Sequence, residues 1–230
     1  MPNFRQLTAP LFLIMILSCH NNSKQTSTAS APAAADTASS ASHAKTIVFF
    51  GNSLTAGYGV NPDQAFPALI GHRIDSLHLP YTVVNAGVSG ETSADGRTRI
   101  GWVLRQPVDI FILELGGNDG LRGIPLTGTS GTAANLQAII DSVKTRYPTA
   151  TIVIAGMQIP PNMGAAYSNT FKNIFPKLAA DNHAVLIPFL LQNVGGIPSL
   201  NQQDGIHPTA AGHRIVAENV WQILEPLLKK

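Results

Sequence analysis

A serine in the first third of the chain and a histidine near its end have the neighbours that a nucleophilic reaction requires. Ser53 follows an apolar run and stands in the stretch 51–55, Gly-Asn-Ser-Leu-Thr. A serine hydroxyl is a weak nucleophile at neutral pH and needs a base to take its proton. His207 stands in the stretch 204–208, Asp-Gly-Ile-His-Pro, and histidine ordinarily titrates close to neutral pH. The two residues therefore suit acyl transfer, with Ser53 as the attacking group and His207 as its base.

Each of these residues also has a simpler structural interpretation. A serine where a strand passes into a helix is typical of a helix N-cap. The stretch around His207 reads as a polar turn before the last helix, with Thr209 as the N-cap of that helix. Asp204 lies three residues before His207, a spacing that allows its carboxylate to orient the imidazole. Taken singly, the N-cap and the turn remain the safer interpretations.

Donors for a developing oxyanion are the third requirement of acyl transfer. Gly90 ends the stretch 85–90, Asn-Ala-Gly-Val-Ser-Gly, and a loop glycine lets its backbone N–H approach a substrate closely. Asn118, in the stretch 115–120, offers a side-chain amide. Both stretches also have the composition of tight turns. Together, however, the four pieces supply a nucleophile, a base, an orienting acid and oxyanion donors, which unrelated turns rarely provide in one chain.

The order of Ser53, Gly90, Asn118 and the Asp204/His207 pair resembles the four sequence blocks of the SGNH, or GDSL-type, hydrolase superfamily. Within it, residues 46–227 are most similar to the bacterial branch with thioesterase I, lysophospholipase and arylesterase activity. The stretches that carry this likeness are 54–58, 114–123, 175–179 and 204–208.

The resemblance implies a role for each of these residues. Ser53 attacks the acyl carbonyl, His207 is the general base and then the general acid, and Asp204 holds His207. The oxyanion hole is implied to consist of the backbone amides of Ser53 and Gly90 and the side chain of Asn118. The resemblance therefore implies a serine esterase that acts on acyl esters or thioesters through an acyl-enzyme.

Three further expectations follow from the resemblance. Members use no metal and no organic cofactor. A loop that shifts when an acyl chain binds is implied at Gly120, Leu121, Arg122, Gly123, Ile124 and Pro125. The family motif reads Gly-Asp-Ser-Leu, whereas this chain has Asn52 at the aspartate position. Because asparagine keeps an oxygen acceptor but lacks the charge, we expect the turn to be retained and the activity to be altered rather than lost.

The elements that position these residues alternate between short apolar runs and helical patterns. The runs are 46–50, 81–85, 108–115, 151–156 and 184–187, and most are apolar throughout, as in parallel strands buried on both faces. Helical spacing follows within 66–77, 96–105, 136–143, 171–178 and 215–224, with Pro176 expected to kink the fourth. The alternation predicts a doubly wound α/β sheet, which binds ligands at the carboxyl ends of its strands. With the resemblance, the expectation becomes a three-layer α/β/α fold with five parallel strands, flavodoxin-like.

The start of the chain has the pattern of an export signal. An apolar run at 11–17 is followed by Ser18 and Cys19, and the run is too short to span a membrane. Cys19 is the only cysteine, which excludes an intramolecular disulfide, and its position resembles a bacterial lipobox. We expect a signal peptide at 1–18, a lipidated Cys19 with a flexible Ser/Ala/Thr-rich tether at 19–44, and the hydrolase domain at 45–230. The expected product is a secreted bacterial lipoprotein, anchored to a membrane in the periplasm or outer membrane.

The net charge and the spacing of the histidines argue against nucleic-acid binding and against a histidine metal site. The net charge is +2 and no basic stretch stands out, so the electrostatic footprint of a nucleic-acid binder is absent. His72, His78, His183 and His213 show no metal-ligand spacing and are expected at the solvent or the core edge. The partner expected is a small acyl-ester or lipid substrate, and the protein is expected to be a monomer. Two alternatives stay open: a carbohydrate O-acetylesterase, which a short closed pocket would favour, and a catalytically weak lipid- or glycan-binding relative, which Asn52 would favour.

Overall fold

The computed structural model describes residues 44–228. The expected signal peptide at 1–18, Cys19 and nearly all of the expected tether at 19–44 lie outside the described residues. Within 44–228, no helix is both long and apolar enough to cross a membrane.

Within residues 44–228, five parallel strands form one sheet, as the sequence predicts. They are β1 (Lys45–Gly51), β2 (Tyr81–Gly87), β3 (Ile110–Glu114), β4 (Thr151–Ala155) and β5 (Val185–Ile187). Their order across the sheet is β2-β1-β3-β4-β5, and each neighbouring pair runs parallel. This is the flavodoxin-like order, in which ligands bind at the carboxyl edge near β1 and β3. The predicted fold class is confirmed.

In the described part of the chain, seven α-helices connect and follow the strands. They are α1 (Ser53–Ala56), α2 (Phe66–Ser76), α3 (Ser93–Val103), α4 (Gly117–Leu121), α5 (Thr132–Arg146), α6 (Ala165–Asn182) and α7 (Ala210–Leu224). α2 packs against α7, α3 packs against α5, and α6 packs against β4 and β5. All five predicted helices are present. α6 continues through Pro176, and the expected kink there stays a prediction.

The central strands are buried because both faces of the sheet are covered by helices. Phe49 and Phe50 of β1 and Phe111 of β3 are all fully buried. The Phe49 ring meets the Phe66 ring of α2 edge-on at 5.5 Å, and Phe50 lies 5.5 Å from Phe111. Each such side chain stabilises the fold by about 1.5–3 kcal/mol on burial. This packing fixes the carboxyl edge of β1 and β3, from which the candidate site is built.

Helix caps decide one of the open sequence interpretations. Asn52, rather than Ser53, is the N-cap of α1, and its Oδ1 accepts a hydrogen bond from the N–H of Leu54 at 3.0 Å. The interpretation of Ser53 as an N-cap is therefore wrong, and its hydroxyl is available for another contact. Thr209 caps α7, as predicted, by accepting from the N–H of Gly212 at 3.3 Å.

Candidate active site

The structure brings Ser53, His207 and Asp204 into one line of hydrogen bonds. Ser53 is the first residue of α1 and is separated from β1 by Asn52 alone, and His207 and Asp204 lie in the loop before α7. His207 Nε2 lies 2.8 Å from Ser53 Oγ, and His207 Nδ1 lies 2.6 Å from Asp204 Oδ2. This arrangement can transfer the serine proton to the imidazole while the carboxylate stabilises the imidazolium that forms.

Asp204 is held in its ionised form by the turn that contains it. Its Oδ1 accepts hydrogen bonds from the N–H groups of Ile206 at 2.9 Å and His207 at 3.0 Å. Desolvation by burial raises the pKa of Asp204, but the hydrogen bonds from the His207 ring and from these two N–H groups outweigh it and lower the pKa to about 2. An ionised Asp204 assigns the proton to Nδ1 of His207, which leaves Nε2 as the acceptor for Ser53.

A second set of contacts holds the histidine loop against the loop after α1. The N–H of Gln202 donates to the carbonyl oxygen of His207 at 2.7 Å. Gln202 Nε2 donates to the carbonyl oxygens of Tyr58 at 2.7 Å and Pro208 at 3.0 Å. The Tyr58 ring packs on the His207 ring with centroids 4.7 Å apart. These contacts restrict the imidazole to the side of Ser53.

The predicted oxyanion donors come from the ends of three neighbouring strands. Ser53 follows β1, Gly90 follows β2 and Asn118 follows β3. Within the described part of the chain, the N–H groups of Ser53 and Gly90 have no hydrogen-bond acceptor, and Gly90 takes a φ of +85° that favours glycine. Asn118 Nδ2 donates one of its two hydrogens to the carbonyl oxygen of Glu91 at 2.8 Å, which leaves the other for a ligand. These donors suit a negatively charged oxygen beside Ser53.

Asp119 fixes the short helix that carries Asn118. Its side chain is buried, and it accepts hydrogen bonds from the backbone N–H of Ser93 at 2.8 Å and from the Ser93 hydroxyl. The hydroxyl of Thr132 donates to the same carboxylate at 3.2 Å. α4 is thereby joined to the starts of α3 and α5, and this role was not anticipated from the sequence.

An apolar cleft of about 370 Å³ opens beside Ser53 and Asn118. Its size is within the range of small-molecule sites. The side chains that give it its apolar character are Leu54, Leu121, Met157, Ile159, Pro160, Phe189, Leu191 and Ile206. An acyl chain attached to Ser53 would lie against this surface.

The predicted substrate loop contributes less to the cleft than expected. Of the six residues 120–125, only Leu121 lines it. Arg122 is exposed, and its Nη2 donates to the carbonyl oxygen of Gly90 at 3.1 Å. Ile124 is half-buried, and its carbonyl oxygen accepts from the Tyr167 hydroxyl at 2.9 Å. Movement of this loop on acyl binding stays a prediction.

Part of the cleft was missed in the sequence. Phe189, Leu191, Gly195 and Gly196 line it and follow β5. Their position just after a parallel strand is the signal that points to them, because ligands collect at the carboxyl ends of all strands. The segment 157–160, which follows β4, also lines the cleft.

A buried acid, Glu114, was also missed as part of the site. It ends β3 and is 1% exposed. Desolvation by burial raises the pKa of Glu114 to about 7, although hydrogen bonds from Thr55 and Asn52 lower it in part. The signal in the sequence is an acid between Leu113 and Leu115 in the predicted apolar run 108–115.

His213 lies deeper than the sequence indicates. It was expected at the solvent or the core edge, but it is 1% exposed on α7, and its Nδ1 accepts from the N–H of Phe66 at 3.3 Å. The expectation was wrong because Phe66, the first residue of α2, packs on His213, with the two rings stacked and their centroids 6.2 Å apart. Desolvation by burial lowers the pKa of His213 to about 4, and the positive charge of His207 adds to the shift. Across residues 44–228, no three His, Cys, Asp or Glu side chains are grouped as metal ligands.

Comparison with known proteins gives consistent matches. Residues 49–215 match the model of the GDSL-like Lipase/Acylhydrolase family. Esterase TesA of Pseudomonas aeruginosa is 38% identical over 188 residues, which cover 80% of this chain and 90% of that protein. Thioesterase 1/protease 1/lysophospholipase L1 of Escherichia coli is 36% identical over 189 residues, covering 82% and 87%. A crystal structure of TesA superposes with a TM-score of 0.74 at 36% identity, covering 80% of this chain and all of that one.

Proposed function

The chain belongs to the GDSL-like lipase/acylhydrolase family and is a carboxylic ester hydrolase, and we propose that it cleaves fatty-acyl esters and thioesters through an acyl-enzyme on Ser53. The observation that carries the proposal is the line of hydrogen bonds from Asp204 through His207 to Ser53, with distances of 2.6 and 2.8 Å.

The first half of the reaction forms the acyl-enzyme. Ser53 Oγ attacks the acyl carbonyl carbon while His207 Nε2 takes the hydroxyl proton. The carbonyl oxygen becomes an oxyanion and accepts hydrogen bonds from the N–H groups of Ser53 and Gly90 and from Asn118 Nδ2. The bond to the leaving group then breaks, and His207 returns its proton to the departing oxygen or sulfur. Each such donor is worth about 10²–10³ in rate in other hydrolases.

The second half releases the acid. Water attacks the acyl carbon, and His207 Nε2 takes its proton as a general base. The second oxyanion uses the same donors and collapses with cleavage of the bond to Ser53 Oγ, which regains a proton from His207. Ionised Asp204 supports the imidazolium in both halves, because its charge is fixed beside Nδ1 throughout.

The cleft supports an acyl chain longer than acetyl. An O-acetylesterase needs only a short closed pocket, whereas this cleft holds about 370 Å³ and is lined mostly by apolar groups. Burial of each additional methylene there contributes about 0.8 kcal/mol of binding free energy. The relatives named as esterase and as thioesterase and lysophospholipase agree with an acyl-specific site that accepts several leaving groups.

Hydrolysis of a p-nitrophenyl ester series from acetate to palmitate tests this proposal. We expect turnover that rises with chain length beyond acetate and disappears in Ser53→Ala. Ser76→Ala is the matched control, because Ser76 is exposed at the end of α2 and, among the residues that the structure describes, its hydroxyl bonds only the carbonyl oxygen of Arg73. Turnover of acetate alone would favour the O-acetylesterase. No turnover in a folded protein would favour the binding relative.

We also propose that the mature protein is lipidated at Cys19 and anchored to a bacterial membrane. The support is the sole cysteine of the chain, placed directly after the apolar run 11–17 and Ser18. Multiple acyl chains on one residue give stable anchoring, whereas one chain is marginal. Expression of the full chain with Cys19→Ala should move esterase activity from the membrane fraction to the soluble fraction. Activity that stays in the membrane fraction would contradict the anchor.

A further inference from the structure

The carboxylate of Glu114 accepts three hydrogen bonds from the turn that carries Ser53. Its Oε2 accepts from the hydroxyl of Thr55 at 2.7 Å and from the N–H of Asn52 at 3.2 Å, and its Oε1 accepts from Asn52 Nδ2 at 2.9 Å. Two of the three partners, the N–H of Asn52 and Asn52 Nδ2, can only donate, and the Thr55 hydroxyl is able to donate, so the arrangement suits an ionised carboxylate, which can only accept. One buried carboxylate therefore contacts Asn52, directly before Ser53, and Thr55, two residues after it.

A glycine makes this approach possible. Gly51 pairs with Glu114 across the sheet. A Cβ at position 51 would overlap the hydroxyl oxygen of Thr55 and the carboxylate and main-chain oxygens of Glu114. Because position 51 has no side chain, the carboxylate of Glu114 can pass beneath the turn and reach Thr55. The nucleophile turn is thus built on this acid as well as on the end of β1.

The orientation of the Asn52 amide follows from its other contacts. Asn52 Oδ1 accepts from the N–H of Leu54 at 3.0 Å and lies 3.4 Å from Ser53 Oγ. An N–H group can donate only to the oxygen, so the amide cannot turn over without losing this cap. Asn52 Nδ2 must then face Glu114. An aspartate at position 52 would instead place a second carboxyl oxygen about 2.9 Å from Oε1 of Glu114.

No charged side chain neutralises Glu114 among residues 44–228, in which its only hydrogen-bond partners are Asn52 and Thr55. Arg99 of α3 comes near, but its Nη2 donates to the carbonyl oxygens of Gly51 and Ala86, and its Nε pairs with Glu91. The charged or titratable groups on the other elements around the turn are Asp119 of α4 and Asp204 and His207 of the last loop. Burial without a counter-ion raises the pKa of Glu114 to about 7, so it is ionised mainly above that pH.

We propose that Glu114 is a positioning residue for the reaction, whose ionised carboxylate holds Ser53 in its reactive place, and that Asn52 supplies the N–H that lets this carboxylate stay ionised. The proposal rests on the esterase function of Ser53. A proton on Oε1 of Glu114 would lie against Asn52 Nδ2, which can only donate, and a proton on Oε2 would require the Thr55 hydroxyl to accept instead of donate. The turn would then relax, and Ser53 would lose its alignment with His207.

Exchanging the two side chains gives the sharpest test. In Glu114→Gln, the new amide N–H₂ faces Asn52 Nδ2, and two donors oppose each other. In the double variant Asn52→Asp with Glu114→Gln, the new carboxylate accepts from the new amide, and the Gln oxygen still accepts from Thr55. We expect kcat to fall about tenfold or more in Glu114→Gln, with KM little changed, and to recover within about threefold of wild type in the double variant.

The pH profile separates positioning from simple space filling. Wild type should lose kcat/KM on acidification more steeply than Glu114→Gln does, because only wild type also takes up a proton on Glu114. Glu114→Gln should lose it as a single ionisation. In Asn52→Asp, the two carboxyl groups must share a proton, so activity near neutral pH is retained and an alkaline loss appears that wild type lacks.

The controls keep each outcome decisive. Glu218→Gln and Asn169→Asp make the same chemical changes on exposed residues of α7 and α6 and should leave kcat unchanged. Full activity in Glu114→Gln, or a double variant no better than Glu114→Gln, would overturn the proposal. If Glu114→Gln fails to fold, the pH profile of Asn52→Asp alone tests the proposal. Activity at alkaline pH identical to that of wild type would then overturn the proposal. Activity that survives in Ser53→Ala would instead refute the esterase mechanism.

Discussion

Two buried groups, Glu114 and His213, should change the free energy of unfolding in opposite directions as the pH rises. Burial raises the pKa of Glu114 from 4.5 to about 7, so the folded protein holds this proton more tightly than the unfolded chain does. Its stabilising contribution is complete below pH 4.5 and is lost as pH rises through 7. Burial lowers the pKa of His213 from 6.5 to about 4. Its contribution is complete above pH 6.5 and is lost as pH falls through 4.

The two contributions are of similar size. Each shift spans about 2.5 pH units, and at 1.36 kcal/mol per unit each contributes about 3 kcal/mol to the free energy of unfolding. Between pH 4.5 and 6.5 the two slopes cancel, so the stability of wild type should be nearly flat there. The pKa values of Asp95 and Asp204 are lowered from 3.8, so their effects fall below this window.

His213→Asn removes one of the opposing groups and keeps an acceptor for the N–H of Phe66. We expect its free energy of unfolding to fall by about 3 kcal/mol between pH 4.5 and 6.5, where wild type is nearly flat. Urea unfolding followed by the fluorescence of Trp221, which is fully buried on α7, measures this. Parallel pH curves for His213→Asn and wild type would refute the reasoning, because they would mean that His213 titrates normally in the fold.

Three further predictions concern the site. Asp204→Asn should lower kcat by about 10³-fold or more at neutral pH, because the imidazole loses its fixed tautomer. Steady-state kinetics with p-nitrophenyl esters measures this loss of kcat, and a loss under tenfold would contradict the prediction. Leu121→Trp fills the cleft and should lower kcat/KM for decanoate about tenfold relative to acetate, whereas an unchanged ratio would place the acyl chain elsewhere. Gln202→Ala removes the hydrogen bonds to the carbonyl oxygens of Tyr58 and Pro208. It should lower kcat severalfold, and it should lower the free energy of unfolding by about 1–2 kcal/mol in urea titrations. An unaltered kcat would show that the His207 imidazole does not need these hydrogen bonds.

The fold could be predicted because its strands are buried on both faces. Such strands appear as continuous apolar runs, and the runs at 46–50 and 151–156 correspond to β1 and β4 within one residue at each end. β2 extends two residues further than its run, to Gly87, because backbone pairing with β1 continues to Gly51 beyond the last apolar side chain. Hydrogen-bond pairing of this kind has no signature in hydrophobicity.

The reacting residues could be predicted because each follows a strand and has a distinctive side chain. The residues that hold them in place could not be predicted, because their roles depend on contacts between distant parts of the chain. Glu114 reaches Asn52 and Thr55 across about 60 positions, and Asp119 is held by Ser93 and by Thr132. In the sequence these acids are only an interruption of an apolar run and a polar residue in a turn.

Covalent labelling of the native protein tests the central mechanism most directly. A fluorophosphonate reacts with an activated serine hydroxyl and leaves a stable phosphonyl group, which mass spectrometry of the intact chain and its peptides locates. The account predicts one label per chain, on Ser53, with parallel loss of esterase activity and strongly slowed labelling in His207→Ala. A label on another residue, or full esterase activity after complete labelling of Ser53, would contradict it.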